Sequence, residues 1–410
     1  MRIETGQAPI NGMTYLAILS VCLIIDLPGI AIAPVEGKLL NILHAPELEV
    51  QLLTTLPNFV IIPFVLLAGR LTDYRHKIPL IALSLFVFMG CGISFLFINS
   101  MEGLIIASCL LGAADGILIP FAMGFMVNTF QGKYRTRHLG VKSATSNFGS
   151  VAATFIISFI INEADWHLPF SVYIVAVVPL CLCFWLKNVP GFGSVPLPAV
   201  DKPAENIDTI CRKDIDSKKI WSLIFNNVWF SIVTFAIVIY LPQLIEQYGW
   251  NPRLSAYLNA VFFMAVLTSG FFLVPFVRSF KSLVFPVIGL SLTIGLCLIF
   301  FIHARWAMYA GSILAGLAFG IFQPLIYDKT SYAINNPAKN IFGLSLVLCA
   351  LYIAIAAEPF MISGVCHLFR LTDVNHFAFN ISIYLGIAYI ITSFIFRKKF
   401  IFGIEDTYYS

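Results

Sequence analysis

Two carboxylates stand deep inside apolar stretches of the sequence. Asp26 lies in the run 13–34, and Asp115 lies in the run 103–127. No Lys, Arg or His lies at a comparable depth in an apolar run. A charged side chain at the centre of a membrane helix costs at least about 2.5 kcal/mol on insertion scales. We therefore expect Asp26 and Asp115 to bind and release protons, or to pair with a cationic ligand. The alternative is a structural role, in which each carboxyl is hydrogen-bonded to a neighbouring helix.

Amide side chains are a second group of polar residues within the apolar runs: Asn58, Asn147, Asn226, Asn227, Asn259 and Gln323. We expect most of them to bridge neighbouring helices by hydrogen bonds. Four remain candidates for contact with a substrate: Asn58, Asn147, Asn227 and Gln323. Gln323 is the best of these, because the proline that follows it frees a backbone carbonyl one turn earlier in the helix.

Charged residues near the ends of two later runs have simpler interpretations. Asp328 and Lys329 follow the run 306–327, where a salt-bridged gate is one interpretation and a solvated helix end is the one we favour. Glu358 lies near the end of the run 341–361, where we expect it within reach of water. These residues are therefore not counted among the candidate site residues.

The composition places these residues in a membrane protein. Of the 410 residues, 59% are hydrophobic and 11% are charged, whereas about 25% of the residues of a soluble domain are charged. A helix needs roughly 20 apolar residues to cross a bilayer core. The sequence predicts twelve such helices: 13–34, 51–69, 79–98, 103–127, 143–161, 168–187, 219–241, 254–276, 283–302, 306–327, 341–361 and 377–396. The first run is too long for the apolar core of a signal peptide.

A polar segment divides the predicted helices into two sets of six. Residues 188–218 carry four prolines and mixed charges, and they are predicted to form a linker. Residues 1–187 and 219–410 are predicted to form two similar bundles. Their similarity is visible in a repeat, since LLGAADGILIP at 110–120 and LAGLAFGIFQP at 314–324 share Leu, Gly, Ala, Gly, Ile and Pro in register. The glycine spacing in both segments favours close helix packing.

Basic residues define one side of the predicted membrane protein. With both termini placed in the cytoplasm, all but four of the 25 Lys and Arg residues fall in cytoplasmic segments, the exceptions being Lys38, Arg253, Arg305 and Arg370. Cytoplasmic loops of membrane proteins carry an excess of Lys and Arg. We therefore expect a multi-pass protein of the inner (plasma) membrane, surrounded by the lipid bilayer, with both termini in the cytoplasm.

A short polar hairpin connects the second and third apolar runs. It reads GRLTDYRHKIP from Gly69 to Pro79. Gly69 allows a neighbouring backbone to approach closely, and Asp73 can accept hydrogen bonds from a helix N-terminus or from an arginine. The charges of Arg75 and Lys77 must lie in water or in the headgroup layer. Because the loop is short, the two runs are expected to lie antiparallel and side by side.

The hairpin, the repeat and the twelve predicted helices together resemble the major facilitator superfamily. The signature loop of that family is matched at Gly69, Leu71, Asp73, Lys77 and Pro79, and it is not matched at Tyr74, His76 and Ile78. The resemblance implies an all-α membrane protein of two pseudo-symmetric six-helix bundles that works by alternating access. It also implies a loop that takes part in the conformational switch, with the residues Gly69, Asp73, Arg75 and Lys77.

Within that family, the stretch Ile25-Asp26-Leu27-Pro28 resembles the first helix of the drug:proton antiporters. Two other signatures of that group are absent. Ser108 stands where its fourth helix carries an arginine, and residues 147–153 lack its Gly-Pro pair. The resemblance implies proton-coupled export of small amphipathic or hydrophobic compounds. The alternative is an uptake carrier for an organic metabolite, either proton-coupled or facilitative.

Other classes of protein fit the sequence less well. A sensor or partner subunit without transport ranks below both carriers, because the sequence shows no soluble domain with which to signal. The sequence contains no nucleotide-binding loop, catalytic triad, metal-ligand spacing or basic patch with interleaved aromatics. We therefore expect a monomeric carrier of small molecules and protons that is not an enzyme, uses no cofactor and binds no nucleic acid.

Replacing each carboxyl by an amide tests proton coupling. We expect Asp26→Asn or Asp115→Asn to abolish the pH dependence of transport, because an amide has no titrating proton to release. The measurement is transport by reconstituted vesicles over a range of pH. If both variants keep the pH dependence of the native chain, the coupling role is wrong and the two carboxyls are structural.

Overall fold

Helices dominate the computed structural model of the protein. It describes residues 2–5, 9–25, 27–28, 47–71, 77–160, 167–189, 215–250, 253–336, 339–370 and 373–404. These residues form twelve helical segments: α1 Gly12–Ile24, α2 Glu47–Arg70, α3 Lys77–Ser94, α4 Met101–Thr129, α5 Gly132–Ile160, α6 Leu168–Asn188, α7 Ser217–Gln247, α8 Arg253–Phe280, α9 Val284–Phe301, α10 Arg305–Tyr332, α11 Asn340–Phe369 and α12 Val374–Ile395. Two short strands precede them, β1 Arg2–Ile3 and β2 Ile10–Asn11, paired antiparallel.

The twelve predicted spans are supported in part. Within the described residues, eight stretches are long and apolar enough to cross a membrane: Lys77–Ser94, Met101–Thr129, Leu168–Asn188, Ser217–Leu241, Tyr257–Phe301, Arg305–Tyr332, Asn340–Phe369 and Val374–Ile395. Two shorter apolar helices are Gly12–Ile24 and Leu56–Arg70. The exact count of twelve, like the division into two bundles at 188–218, stays a prediction. Residues 190–214 of that linker lie outside the described residues.

Large apolar side chains cover the outer surface of the helices. Phe97 of the loop after α3, Phe271 of α8 and Phe360 of α11 are 74%, 64% and 69% exposed. A soluble protein rarely presents so many exposed aromatic and aliphatic side chains in continuous patches. The surface is that of a protein whose helices face lipid, and this makes the chain a multi-pass membrane protein.

Glycine pairs make close helix contacts, and they do so in the same way in both parts of the repeat. On α4, a Cβ placed on Gly112 would lie 2.6 Å from the Pro57 carbonyl oxygen, and one on Gly116 would lie 2.8 Å from that of Ile61. Both partners belong to α2. On α10, Gly316 and Gly320 meet the α8 backbone at Phe262 and Val266 in the same manner. The packing role that the sequence assigns to these four glycines is confirmed.

Two further close approaches join helices from different parts of the repeat. A Cβ on Gly140 of α5 would lie 2.6 Å from the Gly270 carbonyl oxygen of α8, and the reverse distance is 2.5 Å. A Cβ on Gly69 of α2 would lie 2.8 Å from the Ser345 side chain of α11. α5 therefore packs on α8, and α2 packs on α11, with backbone nearly in contact with its neighbour.

One end of the molecule collects most of the basic residues, and we call it the basic end. It is the end at which α2 ends and α5, α7 and α11 begin. The start of α5 differs from the prediction, since the helix begins at Gly132 rather than near residue 143. This extension carries Arg135 and Lys142 into the helix, where they are 9% and 7% exposed. Both residues, which the sequence places in the segment before the fifth predicted helix, are therefore part of a buried stretch of α5.

Adding one methyl group at a glycine contact tests the packing. We expect Gly112→Ala to destabilise the protein by about 1–3 kcal/mol, since the new carbon overlaps the backbone of α2 and the helices must separate. Gly90→Ala in α3 is the matched control, because nothing lies within 4 Å of its added carbon. The measurement is the thermal unfolding midpoint in detergent. Equal midpoints for the two variants would contradict the close approach.

Candidate functional site

A buried ion pair lies at the basic end between α5 and α10. The Arg135 Nε donates to the Asp328 Oδ1 at 2.7 Å, and the Thr136 Oγ1 donates to the Asp328 Oδ2 at 2.7 Å. The two charged side chains are 11% and 3% exposed. The Arg135 guanidinium also lies 4.2 Å from the ring centroid of Tyr332. We call these four residues, Arg135, Thr136, Asp328 and Tyr332, the closing cluster.

Amide and glycine contacts surround the closing cluster at the same end. The Asn340 Nδ2 of α11 donates to the Asn128 Oδ1 of α4 at 3.4 Å. Gly69, a residue of the predicted switch loop, meets Ser345 of α11. The end is thus closed by three contacts that each join a helix of α1–α6 to one of α7–α12.

The favoured interpretation of Asp328 as part of a solvated helix end is wrong. Asp328 is 2% exposed, because α5 starts early enough to bring Arg135 and Thr136 against it. The gate interpretation fits the geometry instead. The sequence signal was a cluster of basic residues at 133–142, but its partner is 193 residues away along the chain, and proximity of that kind is a property of the fold.

Both chain termini pack onto this end. The Tyr134 Oη donates to the Glu4 Oε2 at 2.9 Å, and this hydrogen bond holds the pKa of the Tyr134 hydroxyl above its usual value of 10.0. Lys329, the neighbour of Asp328, donates to the Gly403 carbonyl oxygen of the C-terminal segment. Its ammonium lies 4.8 Å from the ring centroid of Phe400. Residues before α1 and after α12 are therefore part of the closed end.

Asp115, the predicted proton carrier of α4, is 2% exposed. It interacts electrostatically with Tyr173 of α6, which is fully buried. The Tyr173 Oη donates to the Pro28 carbonyl oxygen at 2.6 Å. Tyr173 therefore connects Asp115 with the stretch that contains Asp26 in the sequence, although Asp26 itself lies outside the described residues.

Two of the predicted substrate-contact residues lie together. The Gln323 Nε2 of α10 donates to the Asn227 Oδ1 of α7 at 3.3 Å, and the Asn227 Nδ2 donates to the Val347 carbonyl oxygen of α11 at 3.2 Å. The Gln323 Oε1 is buried without a hydrogen-bond partner among the described residues. The pair bridges three helices, as we expect for buried amides, and it keeps one acceptor oxygen available to a ligand.

The other predicted residues are placed separately. The Asn147 Nδ2 donates to the Ser143 carbonyl oxygen of its own helix at 2.7 Å, so it does not bridge helices by that bond. Asn58 of α2 is partly exposed, and Lys77 begins α3. Asp73 and Arg75 of the hairpin lie outside the described residues. The structure therefore brings Asn227 and Gln323 together but neither of these with Asn147.

Glu358 of α11 is buried, which contradicts the expectation that it reaches water. It is 3% exposed, and its Oε2 has no hydrogen-bond partner among the described residues. The helix also extends to Phe369, well past the predicted end at residue 361, which places Glu358 about three turns from its end. Most residues of this extension are exposed, so the burial of Glu358 comes from packing against neighbouring helices such as α7 at Tyr240. Sequence reasoning missed this carboxyl because that packing is not visible in the hydropathy of α11.

An apolar cleft of about 610 Å³ lies between α2 and α11. It is lined by Phe59, Ile62, Ile353, Ala356, Ala357, Phe360 and Met361. The rings of Phe59 and Phe360 face each other across it with centroids 6.5 Å apart. Because the same two helices touch at Gly69, the cleft is farther from the basic end than that contact.

Long apolar helices around buried polar side chains define a multi-pass membrane transporter. The profile of the Major Facilitator Superfamily matches residues 15–357. The chain belongs to this superfamily, whose members are transporters rather than enzymes.

A known relative and several solved structures are similar to the chain. Multidrug transporter protein MdtP of Bacillus subtilis (strain 168) is 31% identical over 120 residues, which are 27% of this chain and 21% of that protein. The chain thus matches about a fifth of the length of this relative. The structure of the proton:xylose symporter XylE bound to 6-bromo-6-deoxy-D-glucose is similar to this chain with a TM-score of 0.67 and 14% sequence identity. The similarity covers 94% of this chain and 95% of that chain.

The human organic anion transporter MFSD10 (TETRAN) is similar to the same extent. Its TM-score is 0.65 at 12% identity, with 93% of this chain and 97% of that chain covered. Identities this low show a common fold. The fold predicted from the hairpin and the repeat is therefore confirmed as that of the superfamily.

Neutralising Asp328 tests the closing cluster. Removing one partner of a buried ion pair costs about 3–5 kcal/mol, because the other charge stays buried and unpaired. We expect Asp328→Asn to open the basic end and to raise amide hydrogen exchange in residues 128–140. Asp216→Asn is the matched control, since Asp216 forms an exposed pair with Lys219 at the same end. Unchanged exchange in Asp328→Asn would show that the pair does not hold this end closed.

Proposed function

We propose that the chain is a proton-coupled exporter of small amphipathic or hydrophobic compounds that works by alternating access. Residues 1–187 and 219–410 are the two moving units, joined by the linker 188–218. The basic end faces the cytoplasm of an inner (plasma) membrane, and the protein works as a monomer. The closing cluster shuts the cytoplasmic side in the conformation described.

The buried ion pair between Arg135 and Asp328 is the observation that carries this proposal. Its two residues belong to α5 and α10, helices on opposite sides of the repeat. A buried salt bridge adds little net stability over an apolar contact. Removing one partner alone is strongly unfavourable, because the other charge stays buried and unpaired. The salt bridge therefore favours two states, one with the pair formed and dry and one with both charges in water. Transporters built from repeats use such a two-state contact between their halves.

Asp115 supports the proton-coupling part of the proposal. It is a carboxyl inside α4, and its neighbour Tyr173 reaches the backbone beside Asp26. Intramembrane carboxyls mark proton relays in pumps and transporters. We assign the proton to Asp115 and Asp26, and contact with substrate to the amide pair of Asn227 and Gln323.

Apolar compounds are favoured as substrates by the lining of the α2–α11 cleft. The similarity to a protein named as a multidrug transporter supports the same class. The second candidate, uptake of an organic metabolite together with protons, is supported by the similarity in fold to a proton:xylose symporter.

Transport against a pH gradient separates the two candidates. Purified protein is reconstituted in vesicles with a pH difference across the membrane, and ethidium or xylose is added as the probe. An antiporter moves its substrate toward the acidic side, and a symporter moves it toward the alkaline side. We expect ethidium to accumulate on the acidic side, and xylose to equilibrate as in vesicles without protein.

Asp115→Asn is the variant that links the result to the site. We expect it to lose ethidium accumulation, whereas Glu102→Gln, at an exposed carboxyl in the first turn of the same helix, keeps it. Accumulation of xylose on the alkaline side would overturn export in favour of uptake. Ethidium transport that is the same with and without the pH gradient would overturn proton coupling.

A further inference from the structure

Two buried titratable groups, Glu358 of α11 and Tyr240 of α7, are near enough to interact electrostatically. Glu358 and Tyr240 are 3% and 4% exposed. The Glu358 Oε2 and the Tyr240 Oη both lack a hydrogen-bond partner among the described residues. A buried polar group without a partner costs about 1–3 kcal/mol, and more if it is charged. The charged form of Glu358 is therefore strongly unfavourable at this place, and a counter-charge or a proton would remove that cost.

Helix periodicity places Glu358 on the face of α11 that packs against α7. Val347 of α11 receives the hydrogen bond of Asn227 from α7. Glu358 follows Val347 by about three turns, so both project from the same face. The polar pair of this contact nearer the basic end, Asn227 and Gln323, is hydrogen-bonded. The polar pair farther from that end is Glu358 and Tyr240, and the Glu358 Oε2 and the Tyr240 Oη form no hydrogen bond among the described residues.

The ligand of Glu358 must be very small. The Glu358 side chain is only 3% exposed, so the carboxyl offers almost no surface to a ligand from solution, whereas a proton needs almost none. Of the described titratable groups on helices packed against α11, Tyr240 is the one that interacts with Glu358. Arg70 of α2 and the neighbours Asp328 and Lys329 of α10 lie at the basic end, and Asp115 of α4 interacts with Tyr173.

The next residue along α11 gives the carboxyl a way to change its surroundings. Pro359 lies inside the helix. A proline in this position removes one hydrogen bond of the helix and favours a bend there. A bend of α11 at this turn would move Glu358 relative to Tyr240 on α7 and would admit water to a group that is buried in the present conformation.

We propose that Glu358 and Tyr240 form a proton-binding site in α7–α12 that is separate from Asp115. Glu358 carries the proton while the basic end is closed. Movement of α11 exposes the carboxyl, which then releases the proton, and the Tyr240 hydroxyl donates a hydrogen bond to the carboxylate formed. The site rests on the proposed proton coupling and adds a second carrier to it.

Infrared difference spectroscopy on the purified chain tests the site without any transport. We expect a band of a protonated carboxylic acid at neutral pH that is lost in Glu358→Gln and retained in Glu102→Gln. In Tyr240→Phe the band should persist to higher pH, because the carboxylate has lost its hydrogen-bond donor. Bands of Asp115 and Asp26, the carriers proposed above, are expected in the native chain and in the variant alike. A carboxylic acid spectrum that Glu358→Gln leaves unchanged in every band would overturn the proposal.

Transport by the same variants gives the second measurement. We expect Glu358→Gln to lose accumulation of ethidium driven by a pH gradient while it keeps exchange of ethidium for ethidium, a step that needs no net proton movement. Gradient-driven accumulation equal to that of the native chain would overturn the role of this site. If the native chain itself shows no gradient-driven transport, the proposed function fails, and the infrared result still decides whether Glu358 is protonated.

Discussion

The rest of the structure depends on the cost of placing charge inside an apolar bundle. Arg135 and Asp328 reduce this cost by neutralising each other, and their pairing joins α5 to α10 at the basic end. Thr136 and Tyr332 complete the contacts of the two charged groups. Because either charge alone would be strongly unfavourable in a dry site, the contact forms or separates as a unit.

Backbone contacts between helices provide the frame for this pair. Glycines bring α2 against α4, and they bring α8 against α10, at equivalent positions of the repeat. Two residues of the closing cluster lie on α10 itself, and the others begin α5, which packs on α8. The charge pair thus connects two helices that also make close glycine contacts, α5 at Gly140 and α10 at Gly316 and Gly320.

Several features could be predicted from sequence because they depend on local pattern. The apolar runs identify most helices, the glycine spacing identifies their close contacts, and the position of Gly69 predicts its approach to a neighbour. The closing cluster could not be predicted, since Arg135 and Asp328 are distant in sequence. The pattern of residue types in each helix does not show which other helix it will contact. Glu358 was misjudged because its place near the predicted end of α11 suggested contact with water, whereas packing against neighbouring helices buries it.

The candidate site was predictable to a smaller degree than the fold. Residue type alone marks Asp115 and the buried amides, because polar atoms in apolar runs must find partners. It does not indicate that Gln323 and Asn227 pair with each other while Asn147 bonds to its own helix. Those outcomes depend on the rotation of each helix about its axis, which tertiary packing determines.

The contact between Gly140 and Gly270 has a consequence for the seam between α5 and α8. Most interfaces between helices are separated by side chains, and their width changes with each substitution. At Gly140 and Gly270 the backbone of α5 lies directly against the backbone of α8, so backbone atoms rather than side chains set the distance between the helices at this point. Any other residue at either position would act as a wedge, because its Cβ would overlap the carbonyl oxygen of the facing glycine.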